Sequence, residues 1–579
     1  MTDWQNRSYP YVAPLELTAP DDTTHPVVVV GAGPVGLAAA IDLAQQGQRV
    51  ILLDDDNRLS SGSRAICFSK RSLEIFDRLG CVTPMLDKGV RWQRGKVFLR
   101  EDMIYQFDLQ PEAGYKHPAF INLQQYYVEG FLVEQALAEP LIEIRWRNRV
   151  VGLSDAAGNT DGQAIDGRLF LEIQTPDGHY RLAANWVIAC DGSRSPMRGL
   201  IGQESKGRMF RDRFLIADVR MKADFPTERW FWFDPPFHPN QSVLLHRQPD
   251  DVWRIDFQLG WEADPELEKQ PDRVLPRIQA LLGKDVQFDL EWVSVYTFSC
   301  LRMDRFRHGH LLFAGDSAHG VSPFGARGAN SGIQDSENLA WKLARVIAGS
   351  APDSLLDTYD HERCAAADEN ILNSTRATDF ITPKSAVSRV FRNAVLNLAR
   401  DAPFARSLVN SGRLSVPACL HDSPLNTPDH EHFDGHQPPG SVAADAPITI
   451  GETQGWLLDL LGRVPVLLIQ DSEDLDPPAL ATWVGQLVTL DERARILLVI
   501  PGDAMAAQRR WRDRGPLPAG VSLLIDSQGH VAARYDLQPA TAYLIRPDQH
   551  VAARTRRVSG DWLATAARRA LGLELGVHS

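Results

Sequence analysis

Glycines and acids recur together at three places in this chain, and each place could hold part of a ligand built of phosphates, sugars and a flat ring. In Gly31-Ala32-Gly33-Pro34-Val35-Gly36 the first glycine permits a tight turn. The second lets the backbone approach a pyrophosphate, and the third lets a helix pack on a strand. Asp54, about twenty residues further on, is placed to accept hydrogen bonds from ribose hydroxyls. Asp191-Gly192 closes the apolar run Val187–Ala189 and is followed by Ser193 and Arg194; alone it reads as any strand, turn and helix. Gly315-Asp316 closes a third apolar run, with Pro323, Gly325, Gly328 and Asn330 behind it. Here the acid can take a sugar-alcohol hydroxyl while the loop lays backbone N–H groups against a flat ring. The helix after the loop would aim its positive end at that ring and stabilise negative charge on a reduced flavin. Together the three describe one FAD gripped along its length, which requires distant segments to converge.

The elements that must position them are legible. Val27–Val30, a helix-like stretch from Leu37 to Gln46, and Val50–Leu53 make a β-α-β unit around the first motif. Between Phe210 and Trp261 the texture turns aromatic and alternating, as in Trp253–Leu259, which predicts an inserted antiparallel sheet. Helical spacing returns from Gly328 to Ala348 and from Leu355 to about Arg400. The Pro-, His- and Gly-rich stretch from Pro417 to Pro447 reads as an irregular connection with a domain boundary near residue 445. Apolar runs at Val464–Ile469, Ile496–Ile500 and Val521–Ile525 then predict a small α/β module.

At 579 residues several domains are expected, at about 100–200 residues each. Apolar residues make up 44% and charged residues 23%, with no run near the ~18 residues of a membrane span, so a soluble protein is expected. The leader Met1 to Pro26 lacks a basic-then-apolar signal, which predicts a cytoplasmic location. Six scattered cysteines without CxxC or Cys/His spacing point to reduced thiols and no metal site. A net charge of −13 leaves no broad basic surface for nucleic acid.

In order and spacing the three motifs resemble those of the single-component flavoprotein aromatic hydroxylases, the p-hydroxybenzoate hydroxylase-like family, over about residues 27–400. Tyr543-Leu544-Ile545-Arg546-Pro547-Asp548 resembles the thioredoxin-like C-terminal domain of the phenol hydroxylase branch. With no cysteine after Cys419 that domain cannot do dithiol chemistry, which leaves it stability or assembly. The resemblance implies an α/β fold: a Rossmann-like FAD-binding domain (26–205 and 296–400, with part of the substrate domain near 90–125), an inserted antiparallel-sheet substrate domain (206–295), a helical segment, and a thioredoxin-like domain (446–579). The leader (1–25) and an irregular linker (401–445) complete the chain. It further implies that Arg64 and Gln125, or Gln124 one position earlier, contact FAD. Asp191 and Arg194 would serve both FAD and the nicotinamide cofactor, Asp316 the ribityl chain, and Pro323 the flavin ring. Arg327 and Ala329 depart from the commonest loop pattern; Arg327 would bind an anionic substrate or NAD(P)H, or pair with an acid at the domain surface.

The implied reaction is reduction of FAD by NADPH or NADH, addition of O₂ at flavin C4a, and delivery of one oxygen from the hydroperoxide to a phenolic ring. A dry pocket is needed, for which the aromatic stretch Trp230–His238 is the candidate against a plain core role. His246 and His238 are candidates for deprotonating the phenol, against satisfied structural histidines. Arg247, Arg254 and Arg327 suggest a phenol carrying a carboxylate. A homodimer is implied by the resemblance. Two other readings stand: a flavin-dependent halogenase, whose Trp-x-Trp-x-Ile-Pro segment Trp230–Pro235 nearly matches, and an FAD-binding protein without turnover.

Overall fold

Val27 to Val30 are all buried, and a β-branched run buried on both faces is what a central parallel strand requires. The computed structural model, which describes residues 4–19, 23–61, 65–164, 166–223, 225–283, 285–409, 414–434, 437–502 and 504–574, puts the strand Thr24–Val30 between Gly178–Ala189 and Val50–Asp54, parallel to both. Leu311–Phe313 continues the parallel sheet beyond Gly178–Ala189, and Ile142–Trp146 continues it beyond Val50–Asp54. Helix Pro34–Gln45 starts on a proline and buries Leu37, Ile41 and Leu43. This is the Rossmann-like part of the expected fold. The leader is less polar in effect than its composition suggests. Trp4 and Tyr9 are buried, Tyr9 stacks on Trp146 at 4.6 Å, and Trp4 occupies the space a side chain on Gly130 would need.

A second eight-stranded sheet carries the aromatic segments. Its strands include Lys206–Arg220, Arg229–Phe233, Ser242–Arg247, Val252–Leu259 and Asp289–Arg302, with Arg94–Leu99 and Asp102–Asp108 from an earlier part of the chain. The predicted 206–295 insert therefore ends seven residues early, because Asp289–Arg302 pairs along Lys206–Arg220 to Lys206 itself. Alternation gives each strand two faces. Trp232, Leu245, Trp253, Ile255 and Phe257 pack with Val274 and Ile278 of helix Pro271–Leu282, while Phe231, Phe233 and Leu244 join another cluster with Val97 and Phe324.

The chain divides into two compact units: 1–111, 118–336 and 367–416 in one, and 112–117, 337–366 and 417–579 in the other. Both sheets above lie in the first. The second is built on a seven-stranded mixed sheet in which Val466–Gln470, Arg495–Pro501 and Val521–Asp526 run parallel and the hairpin Ala542–Ile545/Val551–Thr555 joins antiparallel. Residues 417–445, expected to be a linker, belong to this unit. Gly440 N–H donates to Val551, Thr427 N–H to Ala552, and Arg554 grips Asp429 at 2.6 Å. The linker was also expected to begin at 401, yet Pro403–Val409 is helical.

Arg546 and Asp548, from the segment that carried the C-terminal resemblance, lie in a fully buried charge network. Arg546 contacts Glu362 at 2.6 Å and Asp548 at 2.5 Å, and Lys342 contacts Glu362 at 2.6 Å. Asn338 donates to both acids and Ser423 to Glu362. Burial alone would raise the Glu362 carboxyl, but the adjacent Arg546 and Lys342 hold it below the usual carboxylate range. Removing one member leaves the others charged and uncompensated. Glu362→Gln is therefore expected to cost about 3–5 kcal/mol, read as a fall in the urea unfolding midpoint; an unchanged midpoint would show that the network adds nothing to stability.

Candidate active site

Gly31 has φ +106°, where side chains are strained, and a Cβ there would lie 2.5 Å from the Cys190 carbonyl oxygen. A Cβ on Gly36 would lie 1.9 Å from the Gly31 oxygen. The first and second motifs thus touch through backbone that tolerates only glycine. Val35 packs against Gly315 and Gly332, each too close to it for a further methyl group, which ties the first motif to the third. Arg198 adds a tie between the second and third by donating to the Ser317 carbonyl at 2.7 Å.

Gly31, Gly33, Asp54, Asn148, Asp191 and Met197 line a cavity of about 230 Å³ at the carboxyl ends of the parallel strands. Asp54 accepts the Ala32 N–H at 2.6 Å and the Asp56 N–H at 2.9 Å. Burial outweighs these bonds and raises its carboxyl to about 6. Asp191 accepts the Met197 N–H at 2.9 Å through Oδ2, while its buried Oδ1 has no partner; burial raises this carboxyl too. A glycine cradle, two strand-end acids and an unsatisfied carboxylate oxygen fit the adenosine and diphosphate part of FAD. Arg194 is exposed beside them. Gln125 accepts the Ala65 N–H at 3.1 Å and donates to Glu129 at 2.8 Å; Gln124 is buried and donates to the Pro249 carbonyl. Arg64 lies outside the described residues.

In the third motif Asp316 is exposed on the short turn Gly315–Ser317. Asp335, which the sequence does not single out, fixes that turn by accepting the Gly315 N–H at 3.0 Å, with His319 Nε2 at 2.7 Å. Asn330 holds the loop down by accepting the Ser69 N–H at 2.9 Å and the Ser72 hydroxyl at 2.7 Å. Pro323 is exposed and Gly328 opens the helix Gly328–Ile347. Arg327 is not at the surface: it is 4% exposed and donates to the Asn370 side-chain oxygen at 2.9 Å.

Phe324 and Gly325 line a second cavity, separate from the one at Gly31, with Phe107, Phe231, Phe233 and Arg229. It is narrow, about 20 Å³, and mainly apolar apart from Arg229. Half of the predicted aromatic strand serves it, since Arg229, Phe231 and Phe233 alternate towards the cavity and Trp230 and Trp232 face the other way. His246 stands on the cavity side of its strand, opposite Arg254. It is buried, its Nδ1 has no partner, and Nε2 is 3.9 Å from Asp256. Burial, then the nearby Arg229 and Arg254, push its imidazole well below its ordinary value. His238 is elsewhere: it bonds the Gln258 carbonyl at 2.7 Å and packs on Phe257, on the far face. Arg254 is already paired with Asp218 at 3.0 Å, and Arg247 is part-exposed near Asp251. Arg229 went unnoticed in the sequence, although it alternates with Phe231 and Phe233.

Residues 24–374 match the family described as FAD binding domain. The chain belongs to that family. It is 27% identical over 567 residues to the 3-(3-hydroxy-phenyl)propionate/3-hydroxycinnamic acid hydroxylase of Mycolicibacterium gilvum, covering 96% of this chain and 94% of the relative. It is 33% identical over 341 residues to the probable NADH-specific resorcinol 4-hydroxylase of Rhodococcus jostii, covering 58% of this chain and 62% of the relative. The flavin-dependent monooxygenase PieE, solved with FAD and substrate, shares the fold with a TM-score of 0.77 at 19% identity, over 95% of this chain and 99% of that one. Among the described residues no helix is long and apolar enough to cross a membrane.

Burial raises the Asp256 carboxyl on the cavity-side face to about 6 from 3.8. A carboxyl raised on folding binds its proton more tightly in the folded state, so its contribution is fully favourable below pH 3.8 and is lost as pH rises through about 6. The shift is worth about 3 kcal/mol. Asp256→Asn is expected to flatten the fall in stability between pH 4 and 7, measured as urea midpoints across that range; an unaltered slope would show that Asp256 is not the group responsible.

Proposed function

We propose that this chain is an FAD-dependent monooxygenase that hydroxylates a phenolic ring at the expense of NADH or NADPH and O₂. The observation that carries this reading is the convergence of the Gly31 turn, Asp54 and Asp191 on one cavity of about 230 Å³, while the aromatic residues around Phe324 and Gly325 of the flavin loop supply the apolar surroundings that the chemistry needs. The two curated relatives, both named as hydroxylases of phenols, support the substrate class. FAD bound here supplies the two-electron chemistry with nicotinamide and the activation of O₂.

The chain's residues do the rest. The Gly31 turn and the amino end of helix Pro34–Gln45 offer N–H groups to the diphosphate. Asp54 and Asp191 accept sugar hydroxyls at the carboxyl edge of the sheet, Arg194 serves the nicotinamide cofactor, and Asp316 accepts the ribityl hydroxyls. Gln125 and Asn330 set the loops around the cofactor, and Gly328 opens the helix aimed at the ring. Pro323, exposed on the loop before Phe324, would face the flavin ring. His246, held neutral by burial and by Arg229 and Arg254 and with an unpartnered Nδ1, orients the phenol hydroxyl by a hydrogen bond, whereas His238 bonds the Gln258 carbonyl on the interior strand Val252–Leu259. Arg327 positions the loop through Asn370. The molecule works in the cytoplasm, as a homodimer.

The purified protein is expected to carry FAD and to oxidise NADH or NADPH faster when a phenol is added, with mass spectrometry showing a product heavier by one oxygen. Turnover only with halide and a separate reductase would favour the halogenase instead. Gly31→Ala adds strain of about 1–3 kcal/mol and a clash with Cys190, so FAD affinity is expected to fall roughly 10–100-fold, read from flavin absorbance after dialysis. Asp316→Ala with full flavin occupancy and turnover would sink the assignment of that residue.

A further inference from the structure

Arg229 is 8% exposed and lines the aromatic cavity, and its side chain makes no hydrogen bond or ion pair to any described residue; its Nη1 is buried without a partner. A buried guanidinium left unsatisfied is costly, and natural structures almost always pair it. Among the described residues, the other buried arginines around this cavity are paired. Arg254 has Asp218, Arg327 has Asn370, and Arg392 has the Ile381 carbonyl and Asn393. The cavity at Arg229 is small, about 20 Å³, so an aromatic ligand enters it only as the surrounding side chains shift. Gly95 lies opposite it in the sheet, and a Cβ there would strike Phe107, so the absence of a side chain lets Phe107 close the wall beside the guanidinium. The acids facing it do not neutralise it. Cys67 and then Asp256 act on it, yet burial keeps the Cys67 thiol neutral, and Asp256 has an unpartnered Oδ1 and a protonated form favoured by burial.

We propose that Arg229 is the specificity-determining residue of the pocket, and that it pairs with an anionic oxygen of the aromatic substrate. This rests on the monooxygenase reading for the nature of the ligand, but the arginine's demand for an anion stands on the geometry alone. The planar guanidinium offers two parallel N–H bonds to a carboxylate and a single strong one to a phenolate. Around it the cavity gives only aromatic and aliphatic surface, which fits a ring carrying one charged group and little else that is polar.

The test uses the FAD-loaded protein and follows ligand binding through perturbation of the flavin absorbance, with 3-hydroxybenzoate and 3-hydroxyphenylacetate against their neutral amides from pH 6 to 9. For a carboxylate, the acids bind roughly 10–100-fold tighter than the amides. Arg229→Met brings that ratio to within about threefold, and Arg229→Lys restores part of it. For a phenolate, acids and amides bind alike, both tighten as the phenol ionises, and Arg229→Met abolishes the tightening. Two results overturn the proposal: wild type with neither an acid preference nor pH-dependent tightening, or a folded, FAD-loaded Arg229→Met that matches wild type. Binding as expected without stimulated NAD(P)H oxidation by any bound phenol would instead overturn the monooxygenase reading and leave Arg229 its anion.

Discussion

The site depends on parallel pairing with no room to spare. Leu311–Phe313, Gly178–Ala189, Thr24–Val30 and Val50–Asp54 lie side by side and point the same way, so the residues that follow them emerge along one edge in the order Asp316, Asp191, Gly31, Asp54. Neighbouring strands are about 4.8 Å apart, which spreads these four positions over roughly 15 Å, the scale of an extended dinucleotide. The approach of Gly31 to Cys190, closer than any side chain allows, brings the middle two together. The span of that edge is thus set by strand order, and the glycines are what let the order close up.

The second sheet solves a different problem with the same period of two. One strand, Arg229–Phe233, sends its tryptophans into the core over helix Pro271–Leu282 and its phenylalanines and arginine into the cavity. Stability and recognition are separated by face and not by segment. A one-residue slip would exchange the two sets, and pairing with Ser242–Arg247 on one side and Arg94–Leu99 on the other fixes the register.

Much of this was legible in the chain because the signals are local. A glycine turn, the acid that closes a strand and the alternation of an aromatic strand are each contained within a few residues, and so were the three parallel strands of the second unit. What escaped depends on partners far away in sequence. Arg254 looks like an anion site until Asp218, 36 residues earlier, is found bonded to it. Arg229 looks like an ordinary strand arginine until no partner is found. His238 could not be separated from His246, because which face a residue after a turn will join is decided by the fold. Residues 417–445 read as a linker because their partners, Val551, Ala552 and Arg554, lie more than a hundred residues on.

The electrostatics of the cofactor edge follow from burial more than from charge. In a chain of net charge −13, the diphosphate site proposed beside Asp54 and Asp191 cannot work by overall attraction; fixed backbone N–H groups at the Gly31 turn would have to do it. Desolvation then works in favour of selectivity. With its carboxyl raised to about 6, Asp54 gains most from hydroxyl donors that stabilise its ionised form, and a ribose supplies two. Such a ligand must lower the Asp54 value when it binds, so by linkage its affinity strengthens as pH rises from below 6 and levels off once the carboxyl is ionised without help. An acid held fully ionised in open water would confer no such preference, which is why the partly closed cavity matters as much as the carboxylate it contains.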